Sequence, residues 1–208
     1  MFSLIGFYNY TVWLTYLSMV SSVVGISFAV NGNITAAIIC LLFSGLCDMF
    51  DGMVARTKKD RTEEEKSYGI QLDSLSDVVC FGVFPAVIGY CIGADKWWQV
   101  ALLSFFALAG LIRLAYFNVT EETRQKTETG KRKYYEGMPI SMSPLTVAFA
   151  FCFKNVSGAA FPAVYTLILL VNGIAFIAPL KIKKPGKKGI IALVATGIVL
   201  LAAMLILM

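Results

Sequence analysis

Seven apolar stretches divide this chain, at roughly 11–30, 34–55, 67–92, 97–118, 138–153, 159–180 and 190–208. All but the shorter fifth are near the ~20 residues a helix needs to cross a bilayer. In hydrocarbon every backbone N–H and C=O must be satisfied within the protein, and a helix achieves that segment by segment. The spacing therefore predicts an all-α polytopic membrane protein, a bundle of about seven (six to eight) transmembrane helices. Composition agrees: 58% of the 208 residues are hydrophobic and 15% charged, where soluble domains carry about 25% charge. The mean hydropathy is +0.73. A single membrane domain over 1–208 is expected, with no soluble appendage. No cleavable signal is expected either, because the opening lacks a basic n-region and a small-residue cleavage pattern. Phe2, Phe7, Tyr8, Tyr10 and Trp13 suit an interfacial lead-in to the first helix.

The basic residues set the orientation. Fifteen of the 18 Lys and Arg fall in segments 56–66, 119–137 and 181–189, which are alternate loops. Lys96 and Lys154 sit on the opposite loops, and Arg113 lies inside a span. The positive-inside rule places the three basic loops and the N-terminus in the cytoplasm, most simply of a prokaryotic plasma membrane. Attraction of anionic lipid and nucleotide phosphates is one use of such loops; fixing topology is the plainer one. Nucleic acid is excluded as a partner, since the basic residues occupy membrane loops without a base-stacking module.

Within this frame, four carboxylates stand where charge is costly. Asp48, Asp51, Gly52 and Ala55 follow the i, i+3, i+4, i+7 spacing of one helix face, ahead of Arg56. Gly69, Asp73 and Asp77 repeat every four residues and share a face of the next span. Two such helices bring the carboxylates into one cleft at the cytoplasmic mouth, and they cannot all stay ionised there unless cations neutralise them. Oxygen-only donors favour hard divalent ions, so a polar metal site at the cytoplasmic face is expected.

The remaining residues narrow the chemistry. Histidine is absent, which removes Ser-His and Cys-His nucleophilic schemes and imidazole ligation. Cys40, Cys47, Cys80, Cys91 and Cys152 lie in apolar runs without metal-type spacing and read as small buried hydrophobes. Arg113 lies about a turn and a half before the cytoplasmic end of its span. It either snorkels to the interface or offers a guanidinium fork to a carboxylate or phosphate. In the stretch Glu136-Gly137-Met138-Pro139-Ile140-Ser141, glycine and proline predict a bent re-entry of the chain beside the site. The last two spans carry no interior charge and read as scaffold, acyl-chain groove or subunit contact.

The pattern Asp-x-x-Asp-Gly-x-x-Ala-Arg, followed by Gly-x-x-x-Asp-x-x-x-Asp, resembles the signature of the CDP-alcohol phosphotransferase family, here over 48–77. The spacer 57–68 is longer than in the family pattern; the extra turn is polar and extends a loop, where insertions cost little. Segments 73–86, 113–118 and 136–139 are similar to the integral-membrane, serine-using branch of that family, with an acceptor region at about 113–145. The resemblance implies transfer of a phosphatidyl group from CDP-diacylglycerol to the hydroxyl of L-serine, releasing CMP. It implies two divalent cations, Mg2+ or Mn2+ with Ca2+ as an alternative, held by Asp48, Asp51, Asp73 and Asp77, with Asp77 as general base. Gly52, Ala55, Arg56 and Gly69 would meet the CDP phosphates, and Arg113 and Asn118 the serine. It also implies a homodimer in membrane lipid. Alternatives are another acceptor (glycerol 3-phosphate or an inositol phosphate) or an ether-lipid, archaetidylserine version. Phosphorylated acceptors call for more basic residues than one embedded arginine. A cation transporter is the remote alternative, disfavoured because no polar residues continue from the aspartates across the bilayer.

Overall fold

The computed structural model describes residues 5–127 and 134–207, with no side-chain description for 125–127 and 187. Phe2 and the basic residues Lys131, Arg132 and Lys133 lie outside the described residues. Among the described residues, six helical stretches are long and apolar enough to cross a membrane: Tyr10–Val30, Ile34–Ala55, Glu63–Cys91, Trp97–Arg124, Lys154–Ile177 and Lys188–Leu207. The chain is an all-α polytopic membrane protein. The expected fifth span is present as a shorter apolar helix, Ile140–Phe151. Its opening is consumed by the predicted bend: Gly137 N–H donates to Leu180 O and Met138 N–H to Ala175 O, each at 2.9 Å. Gly137 has φ +76, and a Cβ there would fall 2.2 Å from Phe176 O, so only glycine turns this corner.

Helices α1 (Trp13–Val30) and α2 (Ile34–Ala55) form a tight pair joined by a turn in which Asn33 Oδ1 accepts from Ala36 N–H. Small residues let them approach closely. Ser22 and Ser44 share a hydrogen bond of 2.8 Å, and Ser44 Oγ also donates to Ser18 O at 2.8 Å. A Cβ on Gly25 would lie 2.4 Å from the ring of Phe84. Helix α3 (Glu63–Asp77) opens with a capping box between Thr62 and Glu65. It runs into a π-helical segment, Val78–Val83, and on into α4 (Phe84–Cys91). The wider turn falls where Pro85 lacks an N–H, and the buried Tyr165 hydroxyl takes up Pro85 O at 2.8 Å.

Helix α5 (Trp97–Thr127) has 31 residues, about 46 Å at the α-helical rise. It outruns the expected span by a polar extension, so Asn118 is inside a helix and not at its end. The short helices α6 (Ser143–Phe151) and α7 (Lys154–Ser157) lead to α8 (Phe161–Ile177) and α9 (Lys187–Leu207). Phe81, Phe84, Phe106, Phe151, Tyr165 and Phe176 fill the shared core. One feature escapes the sequence pattern: β1 (Tyr134–Glu136) pairs antiparallel with β2 (Lys181–Lys183), Tyr135 opposite Ile182. This ribbon ties the stretch ahead of α6 to Lys181 and Lys183 beyond α8.

Candidate metal centre and active site

Helices α2 and α3 deliver the four aspartates to one place. Carboxylate oxygens of Asp48, Asp73 and Asp77 lie within 4.8 Å of one another. Asp51, one turn beyond Asp48, stands beside Asp73 and accepts from Thr15 Oγ1 at 3.2 Å. Asp48 faces Asp77 and Ser141, with Arg113 near enough for its charge to act on it. Asp77 is 9% exposed, and Asp73 Oδ1 is buried without a hydrogen-bond partner. The ion pairs of Lys58, Lys66 and Arg124 all go to glutamates. Converging carboxylates repel unless protons or cations neutralise them. An oxygen-only donor set with an unsatisfied buried oxygen fits hard divalent cations. The acidic cluster expected from the sequence is therefore formed.

The other signature residues divide into two kinds. Gly52 is exposed, and a Cβ added there would meet nothing within 4 Å. A helical glycine costs about 0.5–1 kcal/mol relative to alanine, so the chain's own packing does not account for it. Ala55 is half-buried and Arg56 is exposed just past the end of α2. Gly69 differs, because a Cβ there would fall 2.8 Å from the guanidinium of Arg61. Arg61 donates to Ala55 O at 3.3 Å and to Glu65 O at 3.2 Å. The longer spacer thus returns a cation to the signature. Its base is pinned by Glu65, which accepts from Lys58 Nζ at 2.8 Å and Asn9 Nδ2 at 3.0 Å. That contact holds the Lys58 ammonium above its usual range.

Arg113 is 8% exposed and stacks on Phe117, its guanidinium 5.1 Å from the ring centroid. Its burial and its hold on Phe117 keep the guanidinium within the bundle, where its charge reaches Asp48. Asn118 Nδ2 donates to Ser74 Oγ at 2.7 Å, one residue beyond Asp73. Both predicted acceptor residues thus stand at the rim of the acidic cluster. Thr15, Ser141 and Arg61 are the site residues that sequence reasoning missed. Of these, only Ser141 carried a signal, as part of the bent re-entry.

A family model described as CDP-alcohol phosphatidyltransferase matches residues 8–208. The chain belongs to that family. Among curated proteins of this phosphatidyltransferase family, the chain is similar to CDP-diacylglycerol–serine O-phosphatidyltransferase of Saccharomyces cerevisiae, 44% identical over 114 residues. That match covers 53% of this chain and 40% of the yeast protein. It is also similar to archaetidylserine synthase of Methanothermobacter thermautotrophicus, 31% identical, covering 78% of this chain and 67% of that protein. The CDP-diacylglycerol–serine O-phosphatidyltransferase of Mycobacterium bovis is 29% identical, over 77% and 58%. The chain thus spans between two fifths and two thirds of the length of these relatives.

Proposed function

We propose that this protein transfers a phosphatidyl group from CDP-diacylglycerol to the hydroxyl of L-serine, releasing CMP. The observation that carries the reading is the cluster of Asp48, Asp73 and Asp77, with carboxylate oxygens within 4.8 Å of one another. The names of the relatives support serine as acceptor. Asp48, Asp51, Asp73 and Asp77 would hold two divalent cations, Mg2+ or Mn2+. When bound, such ions neutralise the pyrophosphate and the charge that develops on the attacked phosphorus.

The chain's own residues then bind, orient and move a proton. Asp77 accepts the serine hydroxyl proton as the serine oxygen–phosphorus bond forms and the bond from phosphorus to the CMP oxygen breaks. CMP leaves with that electron pair. The open side of Gly52 lets the nucleotide approach the α2 backbone. Gly69, Ala55 and Arg56 lie along the path of its phosphates, where Arg61 adds a second guanidinium. Arg113 grips the serine carboxylate through a charge-assisted fork, and Asn118 positions the acceptor from its hold on Ser74.

The site faces the cytoplasm of a plasma membrane in this reading, supported by the basic segments gathered at its end of the bundle. A homodimer is part of it too, carried by the family resemblance, with Ile191 and Ile198 of α9, 68% and 63% exposed, leaving a face open to a second copy. Mass measurement in mild detergent that found only monomer across a wide concentration range would remove this part. The archaeal relative favours a second reading, the same chemistry on an ether-linked donor.

The test is CMP release in detergent, with and without divalent ion, over serine, glycerol 3-phosphate and an inositol phosphate. Release that needs both the ion and serine is expected. Release with glycerol 3-phosphate and not serine would overturn the acceptor, and release without any divalent ion would overturn the metal centre.

A further inference from the structure

Helices α6, α8 and α9 enclose a groove of about 690 Å3 whose walls include Met138, Met142, Leu145, Leu193 and Leu200. Phe149, Leu167 and Val171 on its rim are exposed, so it opens to the flank of the bundle, where lipid lies. One wall residue breaks the pattern. Asn172 is 4% exposed, and neither its Nδ2 nor its Oδ1 has a hydrogen-bond partner. The other polar wall residues return their hydroxyls to their own helices, Thr146 to Met142 O at 3.3 Å and Thr196 to Ala192 O at 2.8 Å. A buried amide with both ends unsatisfied is costly unless something else supplies the partner. The occupant that satisfies an apolar groove and this amide together is a hydrocarbon chain carrying a hydrogen-bond acceptor.

The position of the groove says which acceptor. Met138 and Met142 line one end, and between them Ser141 faces Asp48. Ala175 O, three residues beyond Asn172, accepts from Met138 N–H at 2.9 Å. The groove therefore begins beside the acidic cluster, and a lipid whose phosphate lies at the aspartates sends its first chain atoms past Asn172. In a diacyl lipid those atoms include an ester carbonyl a few bonds from the phosphate.

We infer that this groove seats an acyl chain of the lipid donor and that Asn172 Nδ2–H donates to its ester carbonyl, making Asn172 a specificity residue for ester-linked over ether-linked donors. The inference rests on the proposed reaction for its choice of lipid. An ether chain offers no carbonyl and leaves the amide unsatisfied, and sites built around a hydrogen bond discriminate against partners that lack the group.

The test is direct binding of two CDP-lipids of equal chain length, one diester and one diether, to the purified full chain in detergent. Wild type, Asn172→Leu and Asn172→Ser are compared by calorimetry. Wild type is expected to bind the diester about five- to tenfold tighter, the scale of one neutral hydrogen bond. Asn172→Leu should erase that ratio by weakening only the diester, while Asn172→Ser, which keeps a hydroxyl donor, should retain part of it. Equal weakening of both lipids, or a wild type without preference, would overturn the inference. A wild type with the expected preference that released no CMP with serine would uphold the groove and overturn the reaction instead.

Discussion

Helices α2 and α9 are nearly equal in length, yet they relate to the protein in opposite ways. Helix α9 is the more apolar, but Met204 is its single buried residue among those described. Helix α2 buries Ala37, Ile38, Leu41, Ser44 and Cys47 and ends in two aspartates. In water the greasier helix would be the more deeply packed. In a bilayer the surroundings are as apolar as leucine, so hydrophobicity takes a helix across but gives it no reason to pack. What draws α2 inward is small residues, hydroxyls and charge: Ser44 bonded to Ser18 and Ser22, and carboxylates gathered with those of α3.

Eight substitutions sharpen that contrast. The largest effect belongs to the charged end of α2 and its partner. Asp48→Asn, Asp51→Asn, Asp73→Asn and Asp77→Asn should each cut CMP release by at least ~10²-fold while leaving insertion intact. Three of the four with full turnover at saturating divalent ion would end the shared-site reading. Next comes Arg113→Ala, expected to raise the KM for serine about 10- to 150-fold, the scale of one charge-assisted contact of roughly 1.5–3 kcal/mol. Donor binding should change little. Serinol, which lacks the carboxylate, should be a poor substrate and lose little further; equal losses for serine and serinol would place Arg113 on the lipid phosphate.

Smaller effects test packing. Gly25→Leu forces side-chain atoms into Phe84 and Cys40 and should cost about 1–3 kcal/mol by the usual penalty of overpacking. The exposed Ile198→Ala on α9 should stay within about 0.5 kcal/mol. Unfolding midpoints in detergent compare the two, and equal tolerance would erase the distinction between the packed α1–α2 pair, where Gly25 of α1 meets Cys40 of α2, and α9. Smallest is Gly52→Ala, which has open space and should be neutral or stabilising by up to about 1 kcal/mol. Its nucleotide affinity should fall all the same. A variant that kept full affinity for CDP-lipid would leave Gly52 without a role.

Much of this was legible beforehand, for identifiable reasons. Periodicity placed the spans because backbone satisfaction in lipid permits little else. The aspartates stood out because their cost in an apolar run is large. Arg61 was read as loop charge, since nothing in a linear polar turn says that it folds back over Gly69. The pairing of β1 with β2 joins three-residue strands some 45 positions apart, beyond any local pattern. Nothing in the sequence marks Asn172, and only the packing of three helices shows that it lines a groove without a partner.

The π-helical segment Val78–Val83 has a mechanical consequence. An added residue in a helix turns everything beyond it by about 100°, so this segment works as a clutch between two ends of one rod. Below it, Asp73 and Asp77 are phased to the acidic cluster; above it, Phe84 and Ile88 are phased to the core, with Pro85 O bonded to Tyr165. Neither end has to compromise its angle for the other. Removing one residue within the segment would restore a uniform α-helix and set the two ends at odds. The bundle would then have to choose between seating its aromatic core and aiming its carboxylates.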